Sequence, residues 1–134
     1  MWTYVQSTGD LLQDGKRVDT GYSGCDEGKN NPAMQAVHDM GPIPQGTWTI
    51  IGPPFGTTEH GPNVLRLEPV VGTNTFGRDG FLMHGDNVHF PGTASKGCII
   101  MAPNTRLSVW ASQDLKLDVV AAPEAPDTGA GTDV

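Results

Sequence analysis

Hydrophobic and polar positions alternate with a period of two over several short runs, the signature of strands with one buried face. Trp2 to Val5 is strand-like. Thr8-Gly9-Asp10 turns the chain, and Leu11-Leu12 resumes the apolar pattern. Asp14-Gly15 is a two-residue hairpin signal before a returning strand over 16–19, so the first twenty residues predict a β-meander. Thr47 to Ile51 is β-branched and aromatic, and a loop over 52–62 follows. Asn63 to Val71 then alternates, with Leu65 and Leu67 on one face and Arg66 and Glu68 on the other. Phe81-Leu82-Met83, Ile99-Ile100-Met101 and Leu115 to Val120 complete about seven short strands.

Helical periodicity is confined to two places. Asn31-Pro32 pairs an N-cap with a proline at the first helical position, predicting about two turns over 33–40, stopped by Gly41-Pro42. Pro103 starts a second helix to about Ser112, with Leu107 and Trp110 on one face. The Thr20–Gly24 segment, with glycines at 21 and 24, bends the backbone sharply. Eighteen glycines and eleven prolines in 134 residues reinforce the β reading, since helix interiors tolerate neither well. The expectation is one mainly β domain over residues 1–120, followed by a disordered, acidic, Pro/Gly-rich tail over 121–134.

Charge narrows the partners. Charged residues make up 17% of the chain and the net charge is −7, which argues against nucleic acid and against a polybasic membrane-surface protein. No apolar run approaches the roughly 20 residues of a spanning helix, and MWTYVQSTGD lacks the features of a cleavable signal. The expectation is a protein that stays in the cytoplasm or leaves by a route that reads no such signal. Two cysteines, Cys25 and Cys98, are too few for a disulfide scaffold.

The candidate chemistry lies between Phe81 and Met101, FLMHGDNVHFPGTASKGCIIM. His84 ends one apolar run and Cys98 begins another, with a Gly/Pro/Asn-rich loop between. Taken singly, Cys98 reads as a small buried hydrophobe and His84 as a core histidine. Together, His-Gly after one strand and Ser-x-Gly-Cys before another point to a thiol nucleophile and its base. If the flanking strands run antiparallel, the two side chains meet. The imidazole then takes the thiol proton and stabilises the thiolate as an ion pair. The Gly85 carbonyl can hold the other imidazole nitrogen and fix the tautomer. Gly97 and Cys98 N–H groups are candidate oxyanion donors, with Ser95 bracing the turn. A rival reading uses His84, Asp86, His89 and Cys98 as zinc ligands, but their spacing matches no helix face. No cofactor is expected. His38 and His60 show no partner pattern and read as surface or packing residues.

The order His84-Gly85, loop, Ser95-Lys96-Gly97-Cys98-Ile99-Ile100-Met101 resembles the signature of L,D-transpeptidase domains. Gly41-Pro42-Ile43-Pro44-Gln45-Gly46-Thr47-Trp48-Thr49-Ile50 is similar to a second hallmark of that fold. With Gln6 to Gly9, Gly21 to Gly24 and Asn30-Asn31-Pro32, most of residues 2–120 resembles the small L,D-transpeptidase-type domain of type VI secretion effectors. The resemblance implies a small β-sandwich with one or two short helices. It implies a cysteine enzyme that attacks peptidoglycan stem peptides at meso-diaminopimelate and releases D-alanine, as an L,D-carboxypeptidase, by D-amino-acid exchange, or both. It also implies an antibacterial toxin made in the cytoplasm, acting in a target cell's periplasm, with an immunity protein and a secretion adaptor as partners.

Two positions depart from the broader family pattern: Lys96 where many members have histidine, and Ile100 where many have arginine. The second leaves a substrate carboxylate without its partner, a role that Arg106 or Arg78 could take, although both also read as solvated surface residues. Tyr22, Ser23 and Lys96 are further candidates for lining the cleft. A non-catalytic peptidoglycan-binding module, or a structural part of a phage or secretion apparatus, is the alternative reading.

Overall fold

In the computed structural model, which describes residues 1–123, nine strands join into one mixed sheet. The strands are β1 (Trp2–Val5), β2 (Asp10–Gln13), β3 (Lys16–Thr20), β4 (Tyr22–Ser23), β5 (Gly46–Thr57), β6 (Gly61–Pro69), β7 (Leu82–His84), β8 (Ile99–Ile100) and β9 (Lys116–Val120). Their order across the sheet is β3-β2-β1-β9-β5-β6-β7-β8-β4. One helix, α1 (Pro103–Ser112), connects β8 to β9. The domain is mainly β, as its alternation and its glycine and proline content predict. Most of the expected tail, residues 124–134, lies outside the described residues.

The N-terminal meander forms as expected. Asp14 and Gly15 both take positive φ, 49° and 85°, the turn that matches the twist of antiparallel neighbours β2 and β3. β1 then pairs parallel with β9, closing the N-terminus onto the last strand. The core is built from alternating inward positions, among them Trp2, Tyr4, Trp48, Ile50, Leu65 and Met83, each at most 1% exposed. Trp48 meets Phe81 edge to face at 5.0 Å between ring centres.

Three elements depart from expectation. The helix over 33–40 is only a 3-10 turn, Pro32–Met34. Asn31 does cap it, accepting from the Ala33 N–H at 3.2 Å, but Asp39 adopts a left-handed φ of 60°. The local polar groups are spent on tertiary bonds instead: Gln35 accepts from Gln6 and Gln45 through its side chain and from Arg78 through its carbonyl. The loop over 52–62 is largely strand, because β5 runs on to Thr57. Pro53 and Pro54 fall where the register shifts between Ile51 and Phe55, so their missing N–H groups break no regular ladder. In α1 the buried positions are Arg106 and Val109, with Trp110 packed on the core, whereas Leu107 is 44% exposed.

Candidate active site

β7 and β8 are neighbours, which brings both flanks of the 85–98 loop together, but they run parallel. Met83 lies opposite Ile99 and His84 opposite Ile100. Carrying that register back one residue sets Cys98 beside Leu82. Because alternate residues share a face, Cys98 and His84 lie diagonally on one face while Met83 and Ile99 point into the core. The expected antiparallel arrangement is therefore replaced by a parallel one that still sets the two side chains on one face of the sheet. Its physical basis is the fourteen-residue connection over 85–98, the length of a crossover rather than a hairpin turn.

His84 is 1% exposed. Its Nδ1 lies 2.8 Å from the Gly85 carbonyl oxygen. A carbonyl can only accept, so Nδ1 carries the proton and Nε2 presents a lone pair. Nε2 is buried and has no hydrogen-bond partner in the protein. Burial is the main cause holding the imidazole below its ordinary pKa. The Gly85 bond opposes it, and His60 and Arg106 add to it. His84 is thus a neutral base of defined tautomer, lining the same cleft of about 1340 Å³ as Cys98.

Cys98 is partly exposed, with Sγ 3.9 Å from the Gly80 carbonyl oxygen. Burial pushes its thiol up to about 11; the Leu82 N–H and Arg78 act against this, and Glu59 reinforces it. At rest the cleft therefore holds a neutral thiol and a neutral imidazole, not the thiolate–imidazolium ion pair expected from the residue types alone. Desolvation outweighs the nearby donors until something else stabilises the charge. The alkylation rate of Cys98 should accordingly keep rising with pH past the ordinary thiol range of about 8.5. A plateau below that pH, read by intact mass after timed iodoacetamide pulses, would contradict a neutral resting thiol.

The Ser95–Cys98 turn is braced from behind. Ser95, 1% exposed, donates to the Cys98 carbonyl at 2.6 Å and accepts from the N–H groups of Gly24 (2.9 Å) and Gly97 (3.0 Å). The Gly97 N–H, expected as an oxyanion donor, is spent on Ser95. Ser23 is fully buried and does not line the cleft: its Oγ donates to the Gly97 carbonyl and accepts from the Ile43 N–H. Its place is behind the Ser95–Cys98 turn rather than on the cleft wall. Lys96 is exposed on the cleft wall, and its carbonyl accepts from Arg78.

Neither arginine is a solvated surface residue. Arg78 is 7% and Arg106 3% exposed. Arg106 donates to the carbonyls of Met101, Pro62 and Asn63. Its Nη2 would stand 2.8 Å from a Cβ on Gly85, so a side chain there would meet a pinned guanidinium. Arg106 lines the cleft floor but is held chiefly by the backbone.

Tyr22 ties the loop to the sheet. Its hydroxyl donates to Asp86 at 2.6 Å and accepts from the Ala94 N–H at 2.9 Å. Asp86 also accepts from the N–H groups of Asn87 and Gly92. These bonds hold its carboxyl below the ordinary range against a desolvation that pushes the other way. Asp86 is thus a loop clasp, and among the described residues no group of three or more His, Cys, Asp or Glu is placed to hold a metal ion. Replacing Tyr22 with Phe is expected to cost about 1–2 kcal/mol of local stability. Hydrogen exchange over 86–94 should quicken, and unchanged exchange would contradict the clasp.

His60 is a packing residue, one of the two readings expected of it, but that it packs against a residue of the site was not foreseen. It stacks on His84 with ring centres 4.2 Å apart and 32° between planes, and its Nε2 lies 3.3 Å from Glu59. The pairing of β6 with β7 delivers the β5–β6 turn to this place, a proximity that no linear spacing encodes. His38 instead bonds the Phe76 carbonyl at 2.8 Å on the rim.

A family model described as the Tlde1 domain matches residues 17–124, most of the chain. The chain belongs to the Tlde1 domain family. This is the family of type VI secretion L,D-transpeptidase effectors, so the Tlde1 domain described here is an effector domain directed at peptidoglycan. The search of curated proteins returned no match. The family match begins inside β3, yet β1 and β2 belong to the same sheet as the Tlde1 core. No helix among the described residues is long and apolar enough to cross a membrane.

Proposed function

We propose that this Tlde1 domain is a cysteine-dependent acyl-transfer enzyme of peptidoglycan stem peptides. Cys98 attacks the carbonyl of meso-diaminopimelate, the third stem residue, and terminal D-alanine leaves. The thioester then passes to water, giving an L,D-carboxypeptidase, or to a D-amino acid, giving exchange. The observation that carries this reading is the buried, unpartnered Nε2 of His84, its lone pair fixed by Gly85, in the same cleft as Cys98. An orphan acceptor in that position costs free energy and is put to use only when a proton arrives. His84 takes the thiol proton during attack and returns it to the leaving amine. With the Gly97 N–H engaged, the Cys98 N–H is the remaining backbone donor at the nucleophile for the acyl oxygen. Lys96 and the Tyr22-clasped loop line the cleft in which the stem peptide lies. An immunity protein and a secretion adaptor complete the proposed setting, with action in the periplasm of a target bacterium.

The test is incubation with purified tetrapeptide muropeptides, with and without added D-amino acid, followed by mass spectrometry. Loss of D-alanine, or its replacement by the added amino acid, is the expected outcome. Co-sedimentation with unaltered peptidoglycan would instead favour a binding module. The base also sets an acid limit: because His84 is held below its ordinary value, kcat/KM should stay high down to about pH 6.5 and decline only below it. A decline that begins above pH 7 would contradict a depressed His84.

A further inference from the structure

Arg78 is a buried cation whose hydrogen-bond partners are all neutral. Its Nη1 donates to the carbonyls of Gln35 (2.6 Å) and Pro42 (2.8 Å), and its Nη2 to those of Gly41 (2.8 Å) and Lys96 (3.1 Å). Among the described residues no carboxylate lies within ion-pair distance of it. Its neighbour Asp79 is exposed, and Asp39, which acts on it through space, is also on the surface. The guanidinium rests against the Phe81 ring at 5.2 Å. It lies directly under the nucleophile turn, since a Cβ on Gly97 would stand 2.5 Å from Nη2. Burying a charge without an opposite charge is costly, and tying three backbone segments together would not by itself require a full charge.

We propose that Arg78 is an electrostatic positioning residue for the nucleophile: its pinned guanidinium supplies the positive field in which negative charge develops on Cys98 Sγ and on the acyl oxygen during attack. The proposal rests on Cys98 being the nucleophile. The charged and titratable groups that face Cys98 are few. Glu59, on the β5–β6 turn, opposes ionisation, and Arg78 favours it. His84 is neutral at rest, and Lys96 is exposed to solvent, where its charge is screened. Arg78 is therefore the cation placed to act without screening. It needs no reorganisation when the charge forms, because four carbonyls hold it in place.

The test measures the alkylation of Cys98 by iodoacetamide at pH 8.5 in the full chain, beside thermal melting and kcat and KM for tetrapeptide. Arg78→Gln keeps hydrogen-bonding capacity but removes the charge. Its alkylation rate is expected to fall about tenfold or more, equivalent to one pKa unit, and kcat to fall with KM little changed. Arg106→Gln removes an equally buried guanidinium from beneath Gly85, and its alkylation rate is expected to fall less. A folded Arg78→Gln protein alkylated at the wild-type rate would overturn the proposal. Arg78→Lys, which keeps the charge with fewer carbonyl bonds, decides the matter if the Gln variant does not fold. It should melt earlier yet be alkylated within about threefold of wild type, and a tenfold fall there would equally overturn the proposal. Alkylation needs no turnover. A wild-type protein that trims nothing, while Arg78→Gln still slows alkylation, would count against the proposed function and leave the field of Arg78 standing.

Discussion

His84→Gln is expected to lower kcat/KM for tetrapeptide trimming by about 10²–10⁴-fold while the fold persists. The glutamine amide keeps a polar group of similar size at the position of Nε2, but it cannot take a proton. With the Cys98 thiol held near 11 by its surroundings, loss of the base leaves almost no thiolate at neutral pH. The same substitution has a signature in stability. His84 is held below its unfolded value, so between that value, about 6.5, and its folded value the unfolded chain binds more protons. Stability should therefore be complete above about pH 6.5 and decline as the pH falls below it. The Gln variant lacks this contribution, so its melting temperature should fall less between pH 7 and pH 5. Equal losses in the two proteins would mean that His84 is not buried neutral.

Gly97→Ala is expected to destabilise the domain by about 2–5 kcal/mol, from backbone strain and overpacking together. Gly97 has a φ of 140°, a conformation that side chains rarely adopt. An added Cβ would stand 2.5 Å from Arg78 Nη2, 3.1 Å from the Phe81 ring and 3.5 Å from the Gly41 carbonyl oxygen. Arg78 cannot swing aside without breaking bonds to four carbonyls. The turn would have to move, and the Cys98 N–H and Sγ with it, so activity should fall further than stability alone explains. Thermal melting and trimming measured together test this. A variant that melts within about 1 kcal/mol of wild type would contradict the crowding that the turn implies.

The parts legible in the sequence are those where a local rule acts alone. Asp14-Gly15 needs only two positive φ values, Pro103 only a first helical position, and Leu65 and Leu67 only a period of two. The contact of His84 Nδ1 with the Gly85 carbonyl was readable because it joins adjacent residues. What escaped depends on packing between distant segments. Parallel pairing of β7 and β8 and the approach of Glu59 and His60 arise from sheet order. The burial of Arg78 and Arg106 depends on free carbonyls at chain bends, which carry no residue signature. The oxyanion assignment failed at Gly97 for the same reason, since Ser95 reaches back two residues to take its N–H. Lys96 and Ile100, which depart from the broader pattern, both line the cleft, Lys96 from an exposed position and Ile100 from β8, where its backbone pairs with Tyr22 of β4.

Tetrapeptide muropeptides incubated in parallel with the wild-type chain and with Cys98→Ala test the central claim most directly. The expected result is tripeptide, or exchanged tetrapeptide, from the wild type alone, with Cys98→Ala folded and inert. Trimming that persists in Cys98→Ala would contradict the account.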